Sequence, residues 1–202
     1  IETIKEEDKV CKYLDIPIQH ACNRILGRMG RKTTKEELIA TIEKLRQRIP
    51  EICLRTTLIT GFPGETKKEH QELMEFVEQM RFDRLGVFTY SREEDTPAAT
   101  MKNQVPEFVK KHRQKCLMQL QQKIAFEKAE ETVGKTLSVL IEGALPEENV
   151  YVGRSYKDAP NVDGYVFVNA DRSLMTGDFV SVKITSSNQY DLIGEIEDEF
   201  TK

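Results

Sequence analysis

Polar side chains and a glycine follow three apolar segments in the first half of the chain. Gln19 and His20 follow "YLDIPI", Gly61 follows "RTTLIT", and Tyr90 and Ser91 follow "RLGVFT". Ligands in parallel α/β folds bind at the carboxyl ends of the strands. Hydrogen-bonding groups at three successive strand ends are therefore typical of a small-molecule site, although His20 is assigned no chemistry of its own.

The turn "GFPGET", residues 61–66, is the most distinctive of these strand ends. It is not a Walker loop, because no Lys-Ser or Lys-Thr follows its second glycine, and it lacks the G-x-G-x-x-G of dinucleotide sites. Two interpretations remain. Gly61 and Gly64 can let the backbone approach a ligand closely, or the turn simply starts a helix, where the dipole favours Glu65. The turn alone favours the helix start, and the neighbouring strand ends favour a site.

The predicted strand before this turn has one face that carries Arg55, Thr57 and Ile59, since side chains alternate along a strand. One face of the strand must point into the fold. If the face with Arg55 does so, this arginine needs an anionic partner, which a small molecule with a carboxylate can supply.

Composition and charge are those of an ordinary soluble protein. The 202 residues, 32% of them charged, carry a formal net charge of −4 and suffice for one large or two modest domains. No segment approaches the roughly 20 apolar residues of a membrane span, and no signal peptide opens the chain, so we expect a cytoplasmic protein without a membrane partner. The four cysteines lie far apart, which predicts reduced, mostly buried thiols and no metal site.

The first half alternates strands and amphipathic helices. Strands are predicted at residues 13–20, 52–60 and 84–90, and helices from Asn23 to Gly30, over 34–49, after Thr66, and from Pro106 to about Glu131. This order predicts a parallel sheet covered by helices. Three strands alone leave raw edges, and the first residue is not Met. We therefore expect strands before residue 13 to be missing and this half to be a partial parallel α/β barrel.

The sequence changes character near Gly134. Five short runs separated by Pro, Gly, Asn and Asp follow it: "TLSVLIEG", "VYVGRSY", "GYVFVNA", "DFVSVKITSS" and "DLIGEIE". Five short strands in about sixty residues predict a small antiparallel β-barrel. The predicted domains are residues 1–134, the partial α/β barrel with its long connecting helix, and residues 135–202, the β-barrel.

Four ordered motifs resemble the radical S-adenosylmethionine methylthiotransferases: "YLDIPIQHACNRILGRMGR", "LRTTLITGFPGET", "FTYSREEDTPA" and "VGRSYKDAPNVDG". The resemblance covers nearly the whole chain, and the β-barrel is similar to the TRAM domain that ends these enzymes. The last motif is most similar to the branch that attaches a methylthio group to the β-carbon of an aspartate in small-subunit ribosomal protein twelve. A sister branch modifies adenosines in transfer RNA.

The resemblance implies a longer enzyme that uses S-adenosylmethionine and two 4Fe-4S clusters. In that family the cofactor is cleaved reductively to a radical, which abstracts a hydrogen from the aspartate before sulfur is transferred. This chain lacks the Cys-x-x-x-Cys-x-x-Cys motif for one cluster and the amino-terminal domain for the other. We therefore expect the fragment to bind no cofactor and to be inactive alone, and we assign it no catalytic and no metal-binding residue.

By the same resemblance, four residues contact the adenosine part of the cofactor. Ile59 and Gly61 fall where these enzymes make an apolar backbone contact with adenine. Gln19 is placed to bond the ribose, and Tyr90 to close the adenine side. A packing role is an open alternative for Tyr90.

Arg55 or Thr57 is assigned to the methionyl carboxylate or to the substrate, again by resemblance. For Thr57 a packing role is an equally open alternative.

The charge distribution bears on the partner independently of the resemblance. Residues 135–202 hold six basic and twelve acidic side chains, a formal charge of −6, which leaves +2 for the rest of the chain. Nucleic-acid modules ordinarily present a basic face. The acidic barrel thus disfavours RNA and predicts docking of a basic partner such as ribosomal protein twelve. A tRNA adenosine methylthiotransferase and a non-catalytic module that recruits a ribosomal partner are the alternatives.

Overall fold

The computed structural model describes residues 1–145 and 149–197 of the chain. The chain divides into two compact units, Ile1–Ile124 and Ala125–Lys202. This division falls inside the long helix, and the domain boundary predicted after Gly134 stays a prediction.

Three strands and a series of helices build the first unit. The strands are β1 (Tyr13–Gln19), β2 (Cys53–Thr60) and β3 (Arg84–Thr89). The helices are α1 (Glu2–Glu6), α2 (Asn23–Arg28), α3 (Lys35–Arg48), α4 (Lys67–Met80), α5 (Pro97–Thr100) and α6 (Glu107–Glu130). The sequence predicts all of these elements except the two shortest helices, α1 and α5.

The three strands form a parallel sheet in the order β1-β2-β3. Side chains alternate along β2, so that Leu54 and Leu58 are fully buried while Arg55, Thr57 and Ile59 are half-buried on the other face. The apolar stripes of α3, α4 and α6 pack on the buried face in one core. The predicted partial parallel α/β architecture is confirmed.

Capping boxes define where α3 and α4 begin. Thr34 and Thr66 each accept a hydrogen bond from the main-chain amide three residues on, and the glutamate at that position, Glu37 or Glu69, accepts one from the amide of its threonine. Each cap satisfies amides that the first helical turn leaves without a partner. The start of α4 matters for function, because α4 follows the turn at the end of β2 directly.

Five strands close into a barrel in the second unit. They are β4 (Thr136–Ala144), β5 (Val150–Ser155), β6 (Val166–Asn169), β7 (Phe179–Asn188) and β8 (Asp191–Ile196), and their order around the barrel is β4-β5-β6-β8-β7. Inward-facing side chains such as Val139, Val166 and Val182 are completely buried. The predicted five-stranded barrel is confirmed.

The barrel is mixed rather than wholly antiparallel, which corrects the sequence prediction. β6 and β8 run parallel, and the remaining neighbours around the barrel run antiparallel. The reason is a matter of parity. Alternating directions cannot close around a ring with an odd number of strands, so a five-stranded barrel needs at least one parallel pair.

The cysteines are free thiols in different environments. Cys22 and Cys53 are buried, Cys116 is half-buried and Cys11 is exposed. None of the helices in the described ranges combines the length and the apolar composition that crossing a bilayer requires.

Candidate functional site

A cleft of about 730 Å³ lies at the carboxyl ends of the three parallel strands. Pockets for small molecules have volumes of roughly 300–1,000 Å³. The residues that line it come from the ends of β1, β2 and β3, from the segment after α2 and from the segment around α5: Gln19, Arg28, Met29, Gly30, Arg31, Ile59, Phe62, Phe88, Thr89, Tyr90, Ser91, Glu93, Thr96, Pro97, Ala98 and Met101. Its position agrees with the general rule for ligands in parallel α/β folds.

Three of the predicted site residues meet in this cleft. Gln19, Ile59 and Tyr90 lie on its wall, one from the end of each strand. Gly61 lies close by but under the side chain of Lys110, so it does not line the cleft. Their roles in cofactor binding stay predictions.

Arg55 and Thr57 share a face of β2 with Ile59 but lie earlier in the strand and do not line the cleft. The anion that Arg55 requires is present within the chain. Its Nε lies 3.5 Å from Oδ2 of Asp15, the residue in register with it on β1. Binding of a cofactor or substrate carboxylate by Arg55 or Thr57 stays a prediction.

Two polar atoms at the cleft have no hydrogen-bond partner among the described residues. Tyr90 is 8% exposed, and neither its Oη nor Oε1 of Gln19 has a hydrogen-bond partner within residues 1–145 and 149–197. A buried polar atom without a hydrogen-bond partner lowers the stability of the fold by about 1–3 kcal/mol. Gln19 also has a φ of +73°, a strained conformation for a residue with a Cβ atom. Both features are typical of a wall that a polar ligand completes.

Aromatic and sulfur-containing side chains supply the apolar part of the wall. The ring of Phe62 packs edge-on against that of Tyr90, with centroids 5.2 Å apart, and Phe88 is 60% exposed. Met101 lies beside them. An apolar wall with a hydroxyl and an amide oxygen at its edge suits a flat heteroaromatic ring that carries polar substituents. Sequence reasoning missed Phe62, Phe88 and Met101, because single apolar residues after strands give no distinctive signal.

The turn after β2 owes its shape to two glycines and a proline. The amide of Glu65 donates to the carbonyl oxygen of Phe62 at 2.9 Å, and Gly64 has a φ of +81°. With Pro63 at the second position and a positive φ at the third, this is a type II turn. Gly61, at the end of β2, also has a positive φ, +75°.

Glu65 closes this turn by folding its carboxylate back under it. Oε2 accepts hydrogen bonds from the amides of Gly61, at 2.6 Å, and Phe62, at 3.3 Å. Nη1 of Arg113, on α6, donates to Oε1 at 2.8 Å. The turn is therefore more than a helix start, because a fully buried carboxylate ties the end of β2 to α6.

The chemistry around Glu65 keeps it ionised. Burial raises its pKa, but His20, Arg113 and the amide of Gly61 together outweigh burial and hold the pKa below its usual value. Nδ1 of His20 accepts from the amide of Cys22 at 2.9 Å, so the proton of the neutral ring is on Nε2, which lies 3.6 Å from Oε2 of Glu65. Glu65 and His20 act on the architecture of the turn, and neither lines the cleft.

His70, on α4, also borders this carboxylate. Its Nδ1 lies 3.9 Å from Oε1 of Glu65. Burial, together with the positive charge of Arg113, lowers the pKa of His70 to about 4, against the opposing effect of Glu65.

No group of three or more His, Cys, Asp or Glu side chains in the described part of the chain is arranged to hold a metal ion. The expectation that this chain binds no iron–sulfur cluster stays a prediction.

Comparisons with known proteins identify the relatives of the chain. Residues 1–77 match the Radical SAM superfamily, and residues 133–196 match the TRAM domain. Over 197 residues, 98% of the chain, it is 60% identical to the ribosomal protein uS12 methylthiotransferase RimO of Lachnoclostridium phytofermentans. The chain is homologous to the radical SAM methylthiotransferases. The resemblance that its four motifs indicate is confirmed, and so is the TRAM character of its barrel.

Other relatives carry the same description. The chain is 54% identical over 196 residues to the uS12 methylthiotransferase RimO of Desulfitobacterium hafniense, and 50% identical over 202 residues to that of Clostridium botulinum. These alignments cover 97% and 100% of the chain. The chain spans 44–45% of the length of these relatives.

Proposed function

We propose that this chain is the carboxyl-terminal part of a methylthiotransferase that adds a methylthio group to the β-carbon of an aspartate in the ribosomal protein uS12. The observation that carries the proposal is the 60% identity, over 98% of the chain, to a relative described as a uS12 methylthiotransferase. Identity of that degree along both units supports one common reaction better than a shared fold alone. The domain boundary after Gly134 belongs to this proposal.

The cofactor part of the proposal is that the cleft holds the adenosine end of S-adenosylmethionine. When bound together with an iron–sulfur cluster, S-adenosylmethionine supplies the radical chemistry that activates the aspartate β-carbon. Ile59 and Phe62 offer an apolar wall for adenine, and the free Oη of Tyr90 and Oε1 of Gln19 offer hydrogen bonds. These residues bind and orient the adenosine, and the aromatic wall keeps water away from the reacting atoms.

The remaining predicted residues have lesser roles in this proposal. Gly61, with its positive φ, gives the end of β2 the conformation that brings the main chain after Ile59 toward adenine, and Arg55 or Thr57, outside the cleft, faces the methionyl carboxylate or the substrate. Asp15 holds the guanidinium of Arg55 in place until a carboxylate competes for it. The two 4Fe-4S clusters belong to the whole enzyme, and neither is assigned to residues of this chain.

The partner in this proposal is uS12 itself, docked on the acidic barrel in the cytoplasm. The charge of −6 on residues 135–202 suits a basic protein better than nucleic acid. The names of the three relatives specify uS12 and not a transfer RNA, which favours this substrate over the adenosine alternative. A non-catalytic recruiting module has no specific observation in its favour.

A chimaera tests the proposal directly. The corresponding segment of the Lachnoclostridium phytofermentans relative is replaced by these 202 residues, and the clusters are reconstituted. We expect uS12 to gain the mass of one methylthio group in place of one hydrogen, on a single aspartate. The unaltered relative is the positive control, and a transfer RNA is offered as the competing substrate. A chimaera that carries its clusters but leaves uS12 unmodified, or that modifies the RNA, overturns the proposal.

A further inference from the structure

Helix α6 carries two buried cations that the cofactor assignment does not use. Lys110 and Arg113 are only 7% and 8% exposed. Lysine and arginine are almost never buried without specific partners. In a packed helix, apolar side chains of similar volume avoid the desolvation of a charge, so the partners of these two cations indicate what they do.

Arg113 donates hydrogen bonds to Glu65, the residue that closes the turn after β2. Its Nη1 donates both to Oε1 of Glu65, at 2.8 Å, and to the main-chain oxygen of Glu65, at 3.1 Å. The other carboxylate oxygen of Glu65 holds the amides of Gly61 and Phe62. Arg113 therefore fixes the carboxylate that fixes the turn.

Lys110 contacts Tyr90, which directly follows β3. Its Nζ donates to the carbonyl oxygen of Tyr90 at 2.7 Å and lies 5.2 Å from the centroid of the Tyr90 ring. On the way, its alkyl chain passes directly over Gly61, where an added Cβ would lie 2.4 Å from Cγ of Lys110. One side chain thus touches the ends of two strands that border the cleft.

We propose that Lys110 and Arg113 are positioning residues for the cleft. Arg113, through Glu65, sets the turn that follows Ile59, and Lys110 sets the main chain and the ring of Tyr90. Together they hold the ends of β2 and β3 at the spacing at which Ile59 and Tyr90 face the same ligand. The ligand part of this inference rests on the proposed function, that is, on binding of an adenosine group in the cleft.

Nuclear magnetic resonance of the whole ¹⁵N-labelled chain tests both roles. Arg113→Met and Lys110→Met remove the charge at similar length, and Lys111→Met, at an exposed neighbouring position, is the matched control. In Arg113→Met we expect the amides of Gly61 and Phe62 to exchange with solvent about tenfold faster, as for loss of one charge-assisted hydrogen bond. The amide of Leu58, within β2, serves as the internal reference.

For Lys110→Met the readout is the amide resonance of Ser91. This amide shares a peptide group with the carbonyl of Tyr90, so loss of the lysine hydrogen bond must shift it. Titration with 5′-deoxyadenosine, carried out with the same substitutions in the reconstituted chimaera because the isolated chain is expected to bind no cofactor, then measures the consequence for binding. We expect both charge-removing variants to bind this probe about tenfold more weakly than the Lys111→Met control.

If removal of the charge prevents folding, the conservative variants Lys110→Arg and Arg113→Lys, which keep the cation, are measured instead. We expect them to restore part of the wild-type exchange and shifts, which a role in bulk stability alone would not require. Exchange at Gly61 and shifts at Ser91 that equal those of Lys111→Met overturn the inference. A chimaera without these substitutions that does not bind 5′-deoxyadenosine contradicts the proposed cofactor site instead, while the exchange and shift measurements still decide the positioning roles.

Discussion

Gly61 lies where the backbone conformation and a neighbouring side chain both exclude a Cβ atom. Its φ is +75°, and the added atom would meet Cγ of Lys110, whose Nζ is held by the Tyr90 carbonyl. Gly30 has nearly the same φ, +76°, but no described residue other than its chain neighbours lies within 4 Å of its Cβ position. The two glycines therefore separate the effect of backbone strain from that of crowding.

Replacing each glycine by alanine measures the two effects. We expect Gly30→Ala to lower the free energy of unfolding by about 1 kcal/mol, the effect of the left-handed conformation alone. Gly61→Ala adds crowding against an anchored side chain and should lower it by about 2–4 kcal/mol. Urea unfolding of both variants gives the comparison. Equal losses would mean that Lys110 moves aside freely and does not hold the strand end.

His70 gives the chain a specific dependence of stability on pH. The pKa of His70 is about 4 in the folded chain, mainly through burial, and about 6.5 in an unfolded chain. As the pH falls, the unfolded state therefore binds the proton first. Stability is greatest above pH 6.5 and declines down to about pH 4, by a total of roughly 3 kcal/mol.

The measurement is urea unfolding between pH 7.5 and 4.5, for the wild type and for His70→Gln. Over that range the variant should lose less stability than the wild type. The hydrogen bonds of Glu69 to Arg24 and Thr66 lower its pKa to about 2, so most of its own loss of stability falls below pH 4.5, and what remains above that pH affects both proteins equally. Parallel pH profiles for the two proteins would contradict the burial of His70.

The sequence can predict those site residues whose position follows from a local pattern. Gln19, Ile59 and Tyr90 follow or end predicted strands, so strand order and family motifs suffice to place them together. Glu65 differs, because Arg113 is 48 residues away in the chain. From the sequence it resembles an ordinary first-turn helix residue, and only the packing of α6 reveals the second function of its carboxylate.

At the scale of elements, α6 has a buried face that is partly polar. Apolar Leu117 and Ile124 share this face with Lys110, Arg113 and Gln121, all of them buried. The positions agree with helical periodicity, but polar residues are typical of a solvent-exposed face, so the sequence pattern alone does not place them in the core. Their physical task is to provide donors for main-chain oxygens.

β3 benefits from these donors, because it lies at an edge of the described sheet. Nε2 of Gln114 donates to the carbonyl oxygen of Val87, within β3, at 2.6 Å. Nε2 of Gln121 donates to that of Phe82, just before β3, at 2.8 Å. An edge strand has carbonyls that no neighbouring strand can satisfy, and α6 covers them with side-chain amides.

Replacing Gln114 by methionine tests this covering. The volume stays similar, but the carbonyl of Val87 loses its donor. We expect a loss of about 1–3 kcal/mol in the free energy of unfolding, the usual effect of an unsatisfied buried acceptor. Gln119→Met, at an exposed position of the same helix, should change stability by less than about 0.5 kcal/mol. Similar values for both variants in urea unfolding would show that water replaces the side-chain amide.

At the scale of the whole molecule, the number of strands in the barrel also constrains their directions. The five β runs are visible in the sequence as alternating apolar residues between turns, and β4–β8 form at those places. Their directions follow once closure is assumed, because an odd ring requires a parallel pair, here β6 with β8. Which two strands form that pair depends on packing that no local pattern records.

The two parts of the chain differ in net charge, −6 for residues 135–202 and +2 for the rest. The formal charge of −6 on residues 135–202 counts four acidic residues and Lys202 in the ranges 146–148 and 198–202, which lie outside the described residues. Within the barrel, exposed Asp171 and Glu195 border a groove of about 380 Å³. If uS12 docks by charge, carboxylates on the barrel must matter more than carboxylates elsewhere.

Two double variants with the same change in net charge test that statement. Asp171→Lys/Glu195→Lys reverses charge on the barrel, and Glu43→Lys/Glu78→Lys reverses it at exposed positions of α3 and α4. In 50 mM salt we expect the barrel variant to bind uS12 about tenfold more weakly, since exposed pairs contribute up to about 1 kcal/mol each, and its affinity to depend less on salt. The helix variant should bind within about twofold of the wild type, because its two substitutions lie on α3 and α4 and leave the charges of the barrel unchanged. Equal weakening by both would make docking an effect of net charge alone, and tighter binding of transfer RNA than of uS12 by the wild-type chain would reject uS12 as the partner of the barrel.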